Sequence, residues 1–380
     1  MIYVIASTQV WTDNWVSKHW IAHWLAELGH EVYFLEPLRA LLPGRRGRAR
    51  DLFVGPKIRC EGKVNVVSFS SLPFYHRVPS AFRGLWRGML SPQFRRFSRR
   101  LAGRSYDLIT FNARSLPLIA MLPRPRRTAY YCVDPAGLED TRFPEAQLVR
   151  SADKVIAISE ACKAALVRET GRTDIIVIPH GIDFKGTTNS PVAGDGRPQD
   201  FPKSGPVIGY TGSIHDTYVD FDKVEKAAQE NPGWTFVLVG PYVGSDIAQD
   251  ASARIGDLMR LPNIHFLGSK PYQELRSYIE HFDVCLIPYR ADIDNGWEKR
   301  SPVKVLHYLC LGKPIVCADV PGVSAYKHVI YTYADYAGFV AAIRAGLQES
   351  PNSDLSQQRI ELARSRDCDL IIQKLIAALQ

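Results

Sequence analysis

The sequence has no pattern of residues that would hold a metal ion or a disulfide framework. Its seven cysteines are scattered without a CxxC pair, and most lie in apolar runs such as FDVCLIPY and PIVCADV. No histidine cluster has metal-ligand spacing. We therefore expect no metal site, and reduced thiols buried in the core of a cytoplasmic protein.

Long apolar runs are missing as well. No uninterrupted apolar stretch approaches the roughly 20 residues that a helix needs to cross a bilayer. Met1 leads directly into the strand-like run MIYVIAS, without the basic region and long apolar segment of a signal peptide. These absences predict a protein that is soluble or lies on a membrane surface.

What the chain does have is size and positive charge. Its 380 residues are 46% hydrophobic, which is enough for a large core and too long for one ordinary domain. The net charge of +8 points to an acidic partner: a nucleotide, an anionic lipid or a nucleic acid. No helix-turn-helix, zinc or RNA-binding signature accompanies the charge, so nucleic acid is the weakest of the three.

Short β-rich runs alternate with helical patterns along most of the chain, which is typical of parallel sheets with helices on both faces. The Gly-, Pro- and Ser-rich segment 185–206 is the best linker, and the alternation restarts after it. The sequence thus predicts an α/β fold with two doubly wound, Rossmann-like halves. Ligands of such sheets bind beyond the C-terminal strand ends, here in the expected cleft between the halves.

Three features of the second half indicate an anion site. GYTGS places Gly212 and Ser213 between a strand and a helix, where small residues let backbone amides approach a phosphate. Two further strands end in glycine, at Gly240 and Gly268. Lys304 lies in the first turn of a helix, where the dipole is already positive, and a bound anion would explain it. Each feature alone also fits an ordinary turn or a surface lysine.

Taken together and in this order, these features resemble the nucleotide-binding domain of the GT-B glycosyltransferases. The run SPVKVLHYLCLGKP, from Ser301 to Pro314, is similar to the family's Ser-Pro-Leu-Lys-x-x-Glu-Tyr-x-x-x-Gly-Lys-Pro. It departs at His307, where many retaining members have a glutamate. PHGID at 179–183 and SADKVIAIS extend the resemblance to the first half, so it covers essentially the whole chain.

The resemblance implies how the chain is organised and where its donor binds. It implies an acceptor-binding domain (1–184), a linker (185–206), a nucleotide-sugar-binding domain (207–356) and a C-terminal crossover helix (357–380). Lys304 would neutralise the diphosphate of a UDP-sugar without a metal or another cofactor, and His307 would face the same ligand. The other donor-site residues that it implies are Gly212, Ser213, Ser269, Lys270, Tyr289, Ser301, Pro302 and Val303.

The departure at His307 bears on the stereochemistry. Retaining members place two glutamates eight residues apart, and here Lys299 and His307 hold those positions, which favours inversion with one carboxylate as the base. Asp134 follows a β-rich run and is the first candidate, although an Asp before Pro also starts turns or caps helices. The chain resembles the xanthan-pathway glucuronosyltransferase and related exopolysaccharide enzymes, which favours Asp134. Glu139 and Asp140 are the reserves, and a retaining enzyme is the alternative.

The first half contains the candidate features of the acceptor side. Asp13, Asn14 and His19, in a tryptophan-rich loop after the first strand, are the acceptor-contact candidates. The stretch 77–104 mixes arginines with apolar residues, which suits an anionic membrane, although a basic face over an ordinary core helix is the alternative. The resemblance implies a polyprenyl-diphosphate-linked saccharide acceptor, and hence a protein on the inner face of the cell membrane.

The donor sugar is not readable from the sequence. UDP is favoured over GDP by the resemblance alone, and glucuronate would suit the cations near the proposed site, which are Lys270, Arg290, Lys299 and Arg300. A phosphorylase of this fold is disfavoured because the chain has no recognisable lysine site for pyridoxal phosphate. An epimerase would leave the basic stretch 77–104 unexplained.

Overall fold

Each half of the chain is built on its own, mostly parallel β-sheet. The computed structural model describes residues 1–12, 15–40, 55–71, 83–133, 145–189, 197–203, 205–215, 219–242, 255–290 and 302–380, with backbone alone for 83–91. The chain divides between Pro179 and His180 into two units, and Ile372–Gln380 belong to the first. The prediction of an α/β protein with two Rossmann-like halves is confirmed.

The first unit has an eight-stranded sheet in the order β10-β9-β8-β7-β1-β2-β5-β4, parallel except for the β5–β4 pair. A separate two-stranded sheet pairs β3 with β6. The chain reverses its direction of winding between β1 and β7, where Ala6 pairs with Thr110. Polar segments after these two strands therefore meet at the edge where such folds bind ligands. The strands are β1 (Ile2–Ala6), β2 (Glu31–Leu35), β3 (Arg39–Ala40), β4 (Lys57–Glu61), β5 (Val64–Ser68), β6 (Ser70–Ser71), β7 (Tyr106–Thr110), β8 (Arg127–Cys132), β9 (Lys154–Ala157) and β10 (Ile175–Val177).

Helices cover both faces of this sheet. Phe94, Phe97 and Leu101 of α2 pack in one cluster with Tyr33 and Leu35 of β2. Successive strand residues point to opposite faces, so Phe34, on which His19 of α1 stacks, places α1 on the other face. Among the described residues, no helix is both long and apolar enough to span a bilayer. The helices are α1 (Ser17–Glu27), α2 (Arg83–Leu101), α3 (Leu116–Ile119), α4 (Glu145–Ser151) and α5 (Glu160–Thr170).

The second unit has a six-stranded parallel sheet in the order β13-β12-β11-β14-β15-β16. Its winding reverses between β11 and β14, so the turn after β11 lies at the switch point of the sheet. The β11 run VIGYT and the β12 run TFVLV are buried throughout, as continuous apolar strands of a parallel sheet should be. The strands are β11 (Val207–Thr211), β12 (Thr235–Val239), β13 (Ile264–Gly268), β14 (Val284–Ile287), β15 (Ile315–Ala318) and β16 (Tyr331–Tyr333).

Helices at the start and at the end of the second unit differ from the sequence-based prediction. The predicted linker contains helix α6 (Phe184–Asn189). The predicted crossover helix 357–380 is broken, because the segment between its two parts bonds to Ile182: the Ile182 N–H donates to the Arg366 carbonyl at 3.0 Å, and the Cys368 N–H donates to the Ile182 carbonyl at 2.8 Å. The remaining helices of this unit are α7 (Phe221–Glu230), α8 (Leu275–Glu280), α9 (Lys304–Cys310), α10 (Tyr336–Gln348) and α11 (Asp354–Arg364). The last helix, α12 (Cys368–Ala378), begins in the second unit and ends within the residues of the first.

A buried ion pair fastens α11 to the end of α10. Arg359 is fully buried and binds the Glu349 carboxylate through two N···O contacts of 2.5 and 2.9 Å. Its Nε also donates to the Val329 carbonyl at 2.7 Å, and the Glu349 carboxylate accepts from Tyr331 at 2.8 Å. A different packing of α11 would separate the two side chains and leave a buried charge without its partner. The ion pair therefore favours the observed position of α11.

Candidate functional site

Three glycine turns of the second unit lie side by side at the C-terminal edge of the sheet. The Gly212 N–H donates to the Val239 carbonyl and the Gly240 N–H to the Gly268 carbonyl, both at 2.9 Å. A Cβ on Gly240 would stand 1.9 Å from the Gly212 carbonyl oxygen, and φ at Gly240 is 151°. No residue with a side chain fits there. The structure thus brings together the glycines that the sequence predicted as an anion site.

Lys304, the first residue of α9, reaches over the Gly212 turn. Its ammonium donates to the Tyr210 hydroxyl at 2.6 Å and lies 3.9 Å from the centre of that ring. The Tyr289 ring is 5.6 Å away, and a Cβ on Gly212 would be 2.9 Å from Nζ. Burial lowers the pKa of Lys304 to about 7, although the nearby Cys317 thiol acts the other way. A cation held here at a cost in solvation would gain from a bound anion.

Two tyrosines that the sequence did not single out hold this arrangement. The Tyr210 hydroxyl accepts from Lys304 and donates to the Ser213 carbonyl at 2.7 Å, which ties the lysine to the turn. The Tyr308 hydroxyl accepts from the Thr211 N–H at 2.8 Å. Tyr308 is one helical turn after Lys304, so this spacing could have indicated that it faces the same edge.

His307 lies against a different element from Lys304. Its ring packs edge-on against Tyr272, with centroids 5.3 Å apart. Burial lowers the pKa of His307 to about 4, so the ring is neutral near pH 7. Tyr272 belongs to the short 3-10 turn Tyr272–Glu274, which follows the predicted contact residues Ser269 and Lys270. His307 therefore connects α9 with the segment after β13.

Lys270 is already paired in the structure. Its ammonium lies 2.6 Å from Asp200, and the Tyr278 hydroxyl donates to the same carboxylate at 2.8 Å. The ion pair with Asp200 raises the pKa of Lys270. Burial alone would raise the pKa of Asp200, but the bonds from Lys270 and Tyr278 outweigh burial and lower it. The glucuronate hypothesis needs Lys270 as an unpaired cation, and the pairing with Asp200 contradicts this. The neighbouring Ser269 is exposed.

The residues before Lys304 build the start of α9. The Val305 N–H donates to the Pro302 carbonyl at 3.1 Å and the Leu306 N–H to the Val303 carbonyl at 3.0 Å. Ser301 lies outside the described residues, as do Lys299 and Arg300. Pro302 and Val303 thus shape the helix start through their backbone.

In the first unit, the His19 side chain forms hydrogen bonds with the backbone of the loop between β1 and α1. Its Nδ1 accepts from the Val16 N–H at 3.1 Å, and its Nε2 lies 3.0 Å from the Val10 carbonyl, to which it donates. The side chain is buried, and desolvation lowers its pKa. Since both ring nitrogens bond to the loop backbone, His19 shapes this loop. Its predicted companions Asp13 and Asn14 lie outside the described residues.

Glu36 supports the same loop and was missed in the sequence, where nothing marks it. It follows β2 and is buried, and its carboxylate accepts from the Trp11 N–H at 2.9 Å. Arg59 pairs with it at 2.8 Å and Ser68 donates to it. These bonds outweigh burial and lower the pKa of Glu36. The carboxylate therefore fixes the loop backbone next to the Trp11 ring.

The predicted base lies just beyond a described strand. β8 ends at Cys132, and Asp134, Glu139 and Asp140 lie outside the described residues. The assignment of Asp134 as the base therefore stays a prediction.

Two glycosyltransferase family models match the chain, one in each half. The model described as Glycosyltransferase Family 4 matches residues 19–185, and the model described as Glycosyl transferases group 1 matches residues 205–349. The chain belongs to the GT-B glycosyltransferases. The resemblance to this family is thereby confirmed, and the likeness to a glucuronosyltransferase stays a prediction.

One curated relative of this chain is a putative teichuronic acid biosynthesis glycosyltransferase of Bacillus subtilis. It is 25% identical over 238 residues, which cover 61% of this chain and 58% of the relative's length.

Solved structures with low sequence identity share the fold along nearly the whole chain. Sucrose-phosphate synthase of Thermosynechococcus elongatus is 16% identical with a TM-score of 0.72, and the match covers 98% of this chain and 96% of that one. Anabaena HepE in complex with UDP and glucose is 16% identical with a TM-score of 0.68, over 100% and 98% of the two chains.

Proposed function

We propose that this glycosyltransferase moves a sugar from a UDP-sugar to a saccharide acceptor during polysaccharide synthesis. The observation that carries the proposal is Lys304, held in a desolvated place over the Gly212 turn. UDP in the HepE structure supports the choice of nucleotide, and the teichuronic acid relative supports the polysaccharide.

Lys304 would act on the leaving group. When the bond between the sugar C1 and the diphosphate oxygen breaks, negative charge grows on the diphosphate. The Lys304 ammonium would stabilise that charge more in the transition state than in the bound donor. The proposed mechanism needs no metal ion, so EDTA should leave the transfer rate unchanged.

Asp134 would be the base of an inverting reaction. Its carboxylate would take the proton of the acceptor hydroxyl as that oxygen attacks C1 from the side opposite to UDP. Support for Asp134 comes from the family resemblance and from its position two residues after β8. NMR of the product anomer separates this from the retaining alternative, and Asp134→Asn should abolish transfer while UDP still binds.

The proposed acceptor is a polyprenyl-diphosphate-linked saccharide, with the enzyme on the inner face of the membrane. In the described part of 77–104, Arg95, Arg96, Arg99 and Arg100 are exposed, whereas the aromatic residues Phe94 and Phe97 pack in the core. Contact through this part would therefore be electrostatic. Binding to anionic vesicles at low salt that disappears at high salt would support it, and equal binding to neutral vesicles would contradict it.

The donor sugar is proposed to be acidic, with glucuronate as the first candidate. Lys270 gives this idea no support because Asp200 already pairs with it. Support is limited to the family resemblance. Transfer that is faster from UDP-glucose than from UDP-glucuronate would refute it.

Calorimetric titration of UDP, GDP and UDP-glucuronate tests the nucleotide site directly. Lys304→Ala should lose UDP binding, and Lys226→Ala, at an exposed lysine of the same unit, serves as the matched control. If no nucleotide binds to the folded wild type, the transferase proposal fails, and binding to nucleic acid is then tested.

A further inference from the structure

The chain segment before the second unit's first strand is bound to the turn after β13. Residues 197–203, which we call the strap, lie within the predicted linker, yet Phe201 is buried against α8 and its surroundings. The Phe201 ring lies 6.2 Å from the Tyr278 ring and 6.1 Å from the Phe282 ring, centre to centre. The strap is therefore a packed part of the second unit.

Asp200 connects the strap to the turn 268–271. One carboxylate oxygen lies 2.6 Å from the Lys270 ammonium, and the other accepts from the Tyr278 hydroxyl at 2.8 Å. The Lys270 ammonium also lies 5.3 Å from the centre of the Tyr278 ring. Three groups from three segments are thus joined at one carboxylate, which restricts how the turn can move.

The turn itself is joined to the glycine turns beside Lys304. Gly268 bonds to the neighbouring glycine turn through the Gly240 N–H at 2.9 Å. On its other side, Tyr272 packs against His307, one helical turn after Lys304. Gly268 and Ser269 are exposed, so a ligand can reach this turn.

We propose that Asp200 is a positioning residue for nucleobase recognition: through Lys270 and Tyr278 it fixes the turn 268–271 that reads the base. This rests on the proposed nucleotide site. A uracil presents one N–H donor between two carbonyl acceptors, and backbone groups can match that edge when they are held still. Freeing the turn would weaken base recognition and leave the diphosphate contacts unchanged.

The test compares UDP, GDP and inorganic pyrophosphate, which has no base. In Asp200→Asn we expect the Kd of UDP to rise about three- to tenfold, as for a partly exposed charged contact, with pyrophosphate within about twofold of wild type. The preference for UDP over GDP should fall. Asp257→Asn, which removes another surface carboxylate paired with Arg260, is the matched control.

A second variant separates positioning from general stability. Lys270→Met breaks the pair from its other side, and the double variant with Asp200→Asn should bind UDP no worse than Lys270→Met alone. If Asp200→Asn weakens UDP and pyrophosphate equally, or weakens neither, the inference is wrong. A wild type that binds UDP and loses it in Lys304→Ala would leave the proposed function standing in either case.

Discussion

Binding of UDP should draw a proton onto Lys304. In the free protein, burial lowers the pKa of this lysine to about 7, against an ordinary value of 10.5. At pH 8 about nine-tenths of the molecules then carry a neutral lysine. A diphosphate next to Nζ favours the charged form and raises the pKa again. We therefore expect an uptake of about 0.9 proton per UDP at pH 8.

Calorimetry in buffers of different ionisation enthalpy measures this uptake. Tris and HEPES at pH 8 suit the experiment, because the phosphates of UDP, with a second pKa of about 6, are already ionised there. The slope of observed enthalpy against buffer enthalpy gives the number of protons. Above pH 8 the affinity should fall by up to about tenfold per pH unit, since each unit removes most of the remaining charged lysine.

Lys304→Arg is the control for this experiment, since its guanidinium stays charged and should give a slope near zero. A wild-type slope near zero with intact UDP binding would refute the reasoning: Lys304 would then be charged before UDP arrives, or would not touch it.

The same lowered pKa makes a prediction for stability. Between pH 7 and 10.5 the unfolded chain binds more protons at this site than the folded one, so stability rises with pH in that window. Lys304→Met removes the free-energy cost of burying a charged lysine. It should therefore stabilise the protein by roughly 1–3 kcal/mol at pH 6, and this gain should vanish towards pH 10.5. Urea unfolding at both pH values measures it, and a variant less stable than wild type at pH 6 contradicts it.

Three further predictions concern the scaffold. Glu349→Gln should cost about 3–5 kcal/mol in urea unfolding because it leaves the Arg359 charge buried without its partner, and Glu349→Leu with Arg359→Met should recover much of this. His19→Leu should cost roughly 1–3 kcal/mol by orphaning two loop backbone groups. The lowered pKa of His19 means that this deficit is full above about pH 6.5 and shrinks below it, because the unfolded wild-type chain then binds a proton on His19 that the folded chain does not; a deficit independent of pH would contradict this. Gly240→Ala should abolish UDP binding, since its Cβ would meet a backbone oxygen at 1.9 Å, whereas Gly233→Ala, with nothing within 4 Å, should bind normally.

The sequence by itself determined the fold class and most of the pattern of residues at the proposed donor site. Alternating strand and helix periods predict parallel sheets, because a buried parallel strand must be apolar on both faces. The glycines at strand ends were visible because backbone geometry restricts which residues fit there, and Lys304 was visible because the positive end of a helix dipole disfavours a lysine. The family resemblance rested on these local patterns, which need no knowledge of distant contacts.

The tertiary structure decided which of these residues have partners, because pairing joins segments far apart in the chain. Lys270 looked like a free cation until Asp200, 70 residues before it, was found beside it. His19 was predicted to contact the acceptor, and in the structure both of its ring nitrogens form hydrogen bonds with the backbone of its own loop. Tyr210 became visible as a partner of Lys304 only when β11 and α9 were brought together. Spacing along the chain predicts local geometry, and the charge and hydration of a side chain depend on what packs against it.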